Sequence, residues 1–465
     1  MDTVLNRFNE SRKYSSPDSI TRQELANGLK ENPFWLEYES RKYDGQYFHM
    51  YQHRLKVLRE RVTKNCDIKW DSHFRLNGRT VVKKNKVLDI QANEPCWCVG
   101  TIYCELKYKP NVLEEVVNDV YGAPDLVKSY TDAEGSDEIM LEDESGRLLL
   151  VGDIVKAKPF VSGTVLGILG MEADAGSFQV LDVCYPVALP QPVFPKQVNA
   201  GKIALVSGLN LRPDNPQLSL RLQLLQDYLT GDLVNAEVVS KIRRLIISGN
   251  SLNASDPSTL AGCLNDFGTF IGNVLQSLPI DLMPGACDPS DQSLPQQPLH
   301  KALFEGTIKP LFQTVQNELF SPTTNPVWLD FDGVSLLGTS GQNIDDICKY
   351  IVPNGSSSEA DRYEQNEIET RLNMIEGCLK WQNIAPTAPD TLWCYPYKSN
   401  DPFILSKLPH VYFIGNQPVF ASRTVKLEGG HDVKIITIPE FSETGEIVIL
   451  DLETLDTEVV KIDVI

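Results

Sequence analysis

The sequence is poor in histidine and in long hydrophobic runs. Its 465 residues include only six histidines, His49, His53, His73, His300, His410 and His431. A site for two divalent cations needs several carboxylate and imidazole ligands, so this scarcity argues against such a site. No apolar run approaches the roughly 20 residues that span a bilayer, and the opening MDTVLNRFNESRKYSS is too polar for a secretory signal.

Paired cysteines and nucleotide-binding motifs are also missing. The ten cysteines are scattered, as in reduced intracellular proteins, and Cys96 and Cys98 have neither zinc spacing nor a second pair. The sequence contains no Gly-rich phosphate loop that ends in Lys-Ser/Thr and no Gly-x-Ser-x-Gly elbow. The stretch GTSGQN (338–343) has the composition of an anion cradle, but a tight turn after a buried strand is the favoured interpretation.

Charge is unevenly distributed along the chain. The net charge is −19, yet residues 1–90 hold 18 Lys and Arg against 12 Asp and Glu. The rest holds 25 against 50, so a polyanion such as DNA would be repelled by most of the surface. If the protein works near nucleic acid, we expect it to do so through partners.

The first 186 residues predict an extension followed by a small barrel. Residues 1–40 are polar and would need another surface to become ordered. Residues 47–65 predict an amphipathic helix, with Tyr47, Tyr51, Leu55, Leu58 and Val62 on its core face. Five short apolar segments follow, at 96–106, 138–144, 147–153, 161–173 and 177–186. Short strands with glycine at the bends predict an OB-fold domain over 41–186, including its leading helix.

A proline-rich linker at 187–200 then precedes a second domain at 201–465. Predicted strands at 203–207, 244–248, 279–283, 333–337, 411–415 and 433–438 alternate with predicted helices at 217–229, 258–278 and 360–381. This alternation predicts a layered α/β domain with a mostly parallel sheet, and EIVIL and TEVVKI predict an antiparallel finish.

The strand ends read VSGLNL, IISGNSLN, MPGACDP and FIGNQPVF, and ligands of layered α/β domains bind at such ends. Their order and spacing resemble the calcineurin-like phosphoesterases, in which Asp and His at these ends hold two metals. The resemblance implies that the metal ligands are lost. Only Asp288 is a plausible ligand for a stray ion. The degenerate positions are Gly208, Asn210, Asn250, Asn253, Ala286, Cys287, Asp288, Asn383, Asn416 and Pro418.

A barrel, a proline-rich linker and a degenerate phosphoesterase domain, in this order, resemble the second (B, small accessory) subunits of the replicative DNA polymerases. Four segments look most like the delta form, at 281–300, 332–347, 385–397 and 401–420. The resemblance implies a nuclear scaffold without catalytic residues, cofactor or metal. It would hold the catalytic subunit's C-terminal cysteine-rich module and a third subunit. Sharing with the polymerase zeta catalytic subunit is left open.

Two other functions are considered. A metal-dependent phosphodiesterase or 3′–5′ exonuclease would use the same strand ends, but the missing histidines argue against it. A single-strand DNA-binding barrel would need a basic groove with aromatic stacking platforms. Arg75, Arg79, Lys83, Lys84 and Lys86 supply charge before the barrel, but few barrel strands offer paired aromatic residues.

Overall fold

The computed structural model describes most of the chain. The described residues are 20, 22–29, 31–110, 127–132, 134–173, 176–196, 201–212, 215–234, 236–253, 257–308, 319–351 and 360–463. Most of the predicted extension, residues 1–19, 21 and 30, and residues 197–200 of the predicted linker lie outside them.

The described part of the extension packs against the second domain. Leu25 and Phe34 are buried, and the Arg22 guanidinium donates hydrogen bonds to carbonyl oxygens that include that of Leu229 at 2.5 Å. Burial lowers the pKa of Arg22 to about 10. For the described residues of the extension, the surface that they were expected to need is therefore supplied by the same chain. A short 3₁₀ helix, Tyr38–Ser40, ends this segment.

The predicted amphipathic helix is α1 (Phe48–Lys69), but its buried face differs from the predicted one. Met50, Arg54, Leu58, Val62 and Cys66 are buried, whereas Tyr47 is 40% exposed. The hydrophobic periodicity gave the wrong buried face because Arg54 lies on that face, whereas a cation was expected to face solvent.

A closed barrel follows α1. The elements of this part are β1 (Arg75–Leu76), β2 (Arg79–Thr80), β3 (Val82–Lys83), a 3₁₀ helix (Val87–Asp89), β4 (Cys96–Glu105), β5 (Glu138–Glu142), β6 (Arg147–Val151), α2 (Asp153–Ala157), β7 (Val165–Glu172) and β8 (Phe178–Cys184). The strands β4, β5, β6, β8 and β7 pair in that order, and β7 pairs back with β4. Cys96 and Cys98 face the interior, while Trp97 packs under α1, so the helix covers one outer face of the barrel.

Residues 187–196 contain no helix or strand, as the prolines require, and they lie along the second domain. The carbonyl oxygen of Pro190 accepts a hydrogen bond from the Leu408 amide at 2.9 Å, and that of Pro192 lies 2.8 Å from His410 Nε2. The segment therefore follows a fixed path in its described part.

The second domain contains two sheets rather than the single sheet predicted. Its strands are β9 (Lys202–Val206), β10 (Ile242–Ser248), β11 (Ile280–Met283), β12 (Phe320–Pro322), β13 (Val327–Phe331), β14 (Val334–Thr339), β15 (Val411–Gln417), β16 (Ala421–Leu427), β17 (His431–Pro439), β18 (Glu446–Asp451) and β19 (Thr457–Lys461). One sheet has the order β12-β11-β10-β9-β18-β19 and the other β13-β14-β15-β17-β16. Each mixes parallel and antiparallel pairs, and the predicted antiparallel finish is the pair β18–β19.

Three hydrophobic cores hold these layers together. Leu205 and Met283 from one sheet pack with Leu336 and Phe413 from the other, so the two sheets lie face to face. The helices of this domain are α3 (Pro216–Thr230), α4 (Ala236–Val239), α5 (Pro257–Leu275), a 3₁₀ helix (Lys301–Phe304), α6 (Glu305–Ile308), α7 (Gln342–Lys349), α8 (Ala360–Trp381) and α9 (Phe441–Thr444). They cover the outer faces, with α3 and α5 on the first sheet and α7 and α8 on the second.

The barrel and the second domain share one core. Barrel residues such as Ile102 and Phe178 belong to the same hydrophobic cluster as Ile375 of α8. No helix in the described ranges is long and apolar enough to cross a membrane.

Candidate functional site

The carboxyl ends of β9, β10 and β15 meet at one edge of the two-sheet domain, which we call the strand-end edge. Asn210, Asn250 and Asn416 lie there with positive φ angles of 46°, 53° and 55°. Asparagine tolerates this left-handed conformation better than most residues. The loops after β9 and β10 lie side by side, since the Asn210 amide donates to the Asn250 carbonyl oxygen at 2.8 Å. The structure thus brings three of the predicted positions to one edge.

Gly208 has no room for a side chain. Its φ is +60°, and a Cβ there would lie 2.8 Å from Glu440 Cβ and 2.9 Å from Asn416 Oδ1. The position at which the resemblance places a metal-binding Asp is therefore closed by its neighbours.

Asn416 ties three strand ends together. Its Nδ2 donates to the carbonyl oxygens of Ser340 at 2.7 Å and Ser248 at 3.2 Å, and its backbone amide donates to Ser207 Oγ at 2.9 Å. The amide side chain thus joins the edge of one sheet to the edge of the other.

Asp288 is 6% exposed and braces two loops. Its Oδ1 accepts from the Leu252 amide at 2.9 Å and its Oδ2 from the Gly285 amide at 2.8 Å. Burial raises the pKa of the carboxyl to about 7, although backbone hydrogen bonds oppose the shift. Both oxygens are engaged with the backbone, which makes Asp288 a poor ligand for a stray ion.

Glu440 is the acidic residue that sequence reasoning missed at the strand-end edge. Its Oε2 accepts from Asn210 Nδ2 at 2.8 Å, and burial together with the nearby Glu443 raises its pKa. It follows β17 and comes from 230 residues away. The short turn between β17 and α9 carried no motif by which the sequence could have revealed it.

A network of neutral amides fills the adjoining space and was also missed. Asn325 Nδ2 donates to Gln296 Oε1 at 2.8 Å and to Ser340 Oγ at 2.6 Å, and Gln296 Nε2 donates to the Gly285 carbonyl oxygen at 3.0 Å. Uncharged groups cannot balance the charge of divalent cations.

The remaining predicted positions lie beside this network or away from it. Ala286, Cys287 and Pro418 are exposed, and the Asn253 backbone amide donates to the Leu211 carbonyl oxygen at 3.1 Å. Asn383 is buried after α8, where its Oδ1 accepts from the Ala385 amide at 2.9 Å.

Within the described part of the chain, no group of three or more His, Cys, Asp and Glu side chains is arranged to hold a metal ion. His410, one residue before β15, accepts a hydrogen bond at Nδ1 from the Ser335 amide at 2.9 Å, and burial lowers its pKa. It serves the packing of the segment 187–196.

Two family profiles match the chain. That of the DNA polymerase delta subunit OB-fold domain matches residues 46–183, and that of the DNA polymerase alpha/epsilon B subunit matches residues 203–422. The first agrees with the barrel and confirms its prediction as an OB-fold.

Curated relatives match over nearly the whole length. The DNA polymerase delta small subunit of Saccharomyces cerevisiae is 54% identical, with 100% of each chain covered. Proteins of the same name from Oryza sativa subsp. japonica and Arabidopsis thaliana are each 35% identical, covering 90% and 94% of this chain and 93% and 94% of their own. The chain therefore belongs to the DNA polymerase delta small-subunit family.

Proposed function

We propose that this chain is a non-catalytic accessory subunit of a DNA polymerase delta complex. The observation that carries the proposal is the full-length similarity to the yeast protein named DNA polymerase delta small subunit. The subunit acts as a nuclear scaffold that joins the catalytic subunit's C-terminal cysteine-rich module to a third subunit. The polymerase zeta catalytic subunit is a further candidate for the same position.

The second domain, 201–465, is in this proposal a phosphoesterase framework without its metal ligands. The closed position at Gly208, the bracing role of Asp288 and the uncharged network around Asn325 support this interpretation. A layered domain that is stabilised by packing keeps its fold when its loops lose their catalytic groups. Residues 41–186 form the barrel domain and 187–200 its connection.

Exposed aromatic rings on the segment 35–48 and at Trp393 support a role in binding partners. Tyr38 is 82% exposed and Phe48 is 60% exposed, and aromatic side chains dominate the binding energy of protein interfaces. The Tyr47 hydroxyl donates to the Cys394 carbonyl oxygen at 2.8 Å, which joins the two segments that carry the rings. We call this set of exposed rings the aromatic patch; its members are Trp35, Tyr38, Tyr43, Tyr47, Phe48 and Trp393.

The barrel is less suited to stacking DNA bases. Tyr103, on its outer face, is approached by Lys109 Nζ and Arg147 Cζ, each 4.4 Å from the ring centroid. Both cations are also paired with carboxylates, Lys109 with Asp390 and Arg147 with Glu142. A single-strand binder needs free ring faces and cations that are free to meet phosphates.

Co-expression tests the proposal. The tagged chain is expressed with the polymerase delta catalytic subunit and the third subunit, and we expect both to be recovered with it. Tyr38→Ala together with Phe48→Ala should raise the Kd for at least one subunit more than about a hundredfold and so lower its recovery, because aromatic anchors contribute about 2 kcal/mol each.

The matched control is Tyr108→Ala, an exposed ring outside the aromatic patch. In parallel, the purified chain is incubated with Mn²⁺ or Mg²⁺ and a labelled oligonucleotide, and we expect no cleavage. Recovery of neither subunit, or metal-dependent cleavage that survives purification, contradicts the proposal.

A further inference from the structure

A groove of about 620 Å³ lies between the barrel and the second domain. The barrel contributes the stretch from α2 to Phe160, and the second domain contributes the exposed side of α8. Its apolar surface comes from the partly exposed Ile139 and Val155 and the exposed Pro159, since Phe160, Met374 and Trp381 are at most 4% exposed. Lys156, Lys158 and Lys380 stand around it. We call this site the interdomain groove. It exists only because the two domains are packed together.

The charge of the interdomain groove is opposite to that of the whole chain. Lys156 and Lys158 are exposed, and no carboxylate of a described residue forms an ion pair with either. Lys380 pairs with Glu376, which also approaches Arg423 at 3.5 Å. The net charge of the chain is −19, so a groove with unpaired lysines stands out. Lysines beside apolar side chains suit a ligand that carries both negative charge and apolar groups.

We propose that the interdomain groove binds an acidic segment of a partner subunit, with its apolar side chains over Ile139 and Val155 and its carboxylates at Lys156 and Lys158. This inference rests on the proposed function as a polymerase accessory subunit and names a surface for it. An acidic peptide fits better than a nucleic acid, since part of the exposed lining is apolar and few cations are available to follow a phosphate backbone.

Binding measurements test the inference. The chain is immobilised, and the purified catalytic subunit and third subunit are titrated separately by biolayer interferometry. Lys156→Glu with Lys158→Glu should raise the Kd for one of them about tenfold, since it removes two attractions and adds two repulsions. The control pair, Lys56→Glu with Lys241→Glu, also changes two exposed lysines without an ion pair to a described residue, and should change Kd less than about twofold.

A second variant separates docking in the groove from long-range attraction. Ala157 lines the groove and is exposed, so Ala157→Trp should obstruct the groove without changing charge. We expect it to weaken binding of the same subunit. Thermal unfolding should show that every variant is folded.

Three results would overturn the inference. One is equal weakening by both lysine pairs, another is unchanged binding by Ala157→Trp, and the third is binding of a labelled oligo-dT strand that Lys156→Glu with Lys158→Glu abolishes. The last would assign the groove to nucleic acid. If the unaltered chain binds neither subunit, the proposed function itself fails, which is a distinct outcome.

Discussion

At the scale of single residues, side chains at the strand-end edge connect strand ends and loops by hydrogen bonds. Asn416 connects three strand ends, and Asp288 connects two loops through backbone amides. Each bond replaces one that water would otherwise make, so the edge is held by many small contributions. The side-chain nitrogen of Asn416 and both oxygens of Asp288 are thus already engaged with the backbone.

Restoring an acid at Gly208 should therefore damage the fold rather than create a metal site. Gly208→Asp places a side chain at positive φ against Glu440 and Asn416, and we expect a loss of about 2–4 kcal/mol in the free energy of unfolding. Urea denaturation measures the loss, and calorimetric titration with Mn²⁺ should show no binding.

Gly78→Asp is the control, because Gly78 also has a positive φ, of +80°, but nothing lies within 4 Å of its Cβ position. It should show the backbone strain alone, about 1 kcal/mol. Equal losses for the two variants would mean that the strand-end edge has room for a carboxylate after all.

At the scale of elements, periodicity predicted where strands and helices lie better than what they contact. The predicted strands at 203–207 and 411–415 are β9 and β15, within a few residues. The buried face of α1 was predicted wrongly, because Arg54 lies on that face and pairs with Asp401, 347 residues further along the chain. Glu440 and Gln296 reach the strand-end edge from short turns and loops that carry no motif. Such placements depend on tertiary packing, which a local pattern does not contain.

The segment before α1 shows the same dependence, and its contribution can be measured. Leu25 is buried between the sheets with Phe331, and its carbonyl oxygen accepts from Arg244 at 2.8 Å. Leu25→Ala should lower the free energy of unfolding by about 3 kcal/mol, through lost burial and a cavity.

The neighbouring Glu24 is exposed, so Glu24→Ala should change stability by less than about 0.5 kcal/mol. Urea denaturation of both variants provides the comparison. If Leu25→Ala is as mild as Glu24→Ala, the segment does not stabilise the second domain.

At the scale of the whole molecule, the barrel and the second domain approach each other closely. A Cβ at Gly163 in the barrel would lie 1.9 Å from the Pro386 carbonyl oxygen, so the contact requires glycine there. Beside it, Arg54 Nη1 donates to the same carbonyl oxygen and Arg54 Nε donates to Asp401 Oδ2, each at 2.7 Å. The interdomain groove exists only while this contact holds, and so the binding that we propose for it depends on the contact between the domains.

The ion pair Arg54–Asp401 should contribute strongly to the contact between the barrel and the second domain. Both side chains are almost completely buried, at 1% and 0% exposure, so Arg54→Ala leaves a buried carboxylate without its cation. We expect a loss of about 3–5 kcal/mol in the free energy of unfolding and faster proteolysis between the domains.

Arg59→Ala is the control on the same helix, where an exposed pair with Glu144 should contribute less than about 1 kcal/mol. The double variant Arg54→Ala with Asp401→Ala should lose less than the two single losses together, since it removes both charges. Equal effects of Arg54→Ala and Arg59→Ala would show that the domains are held together by apolar packing alone.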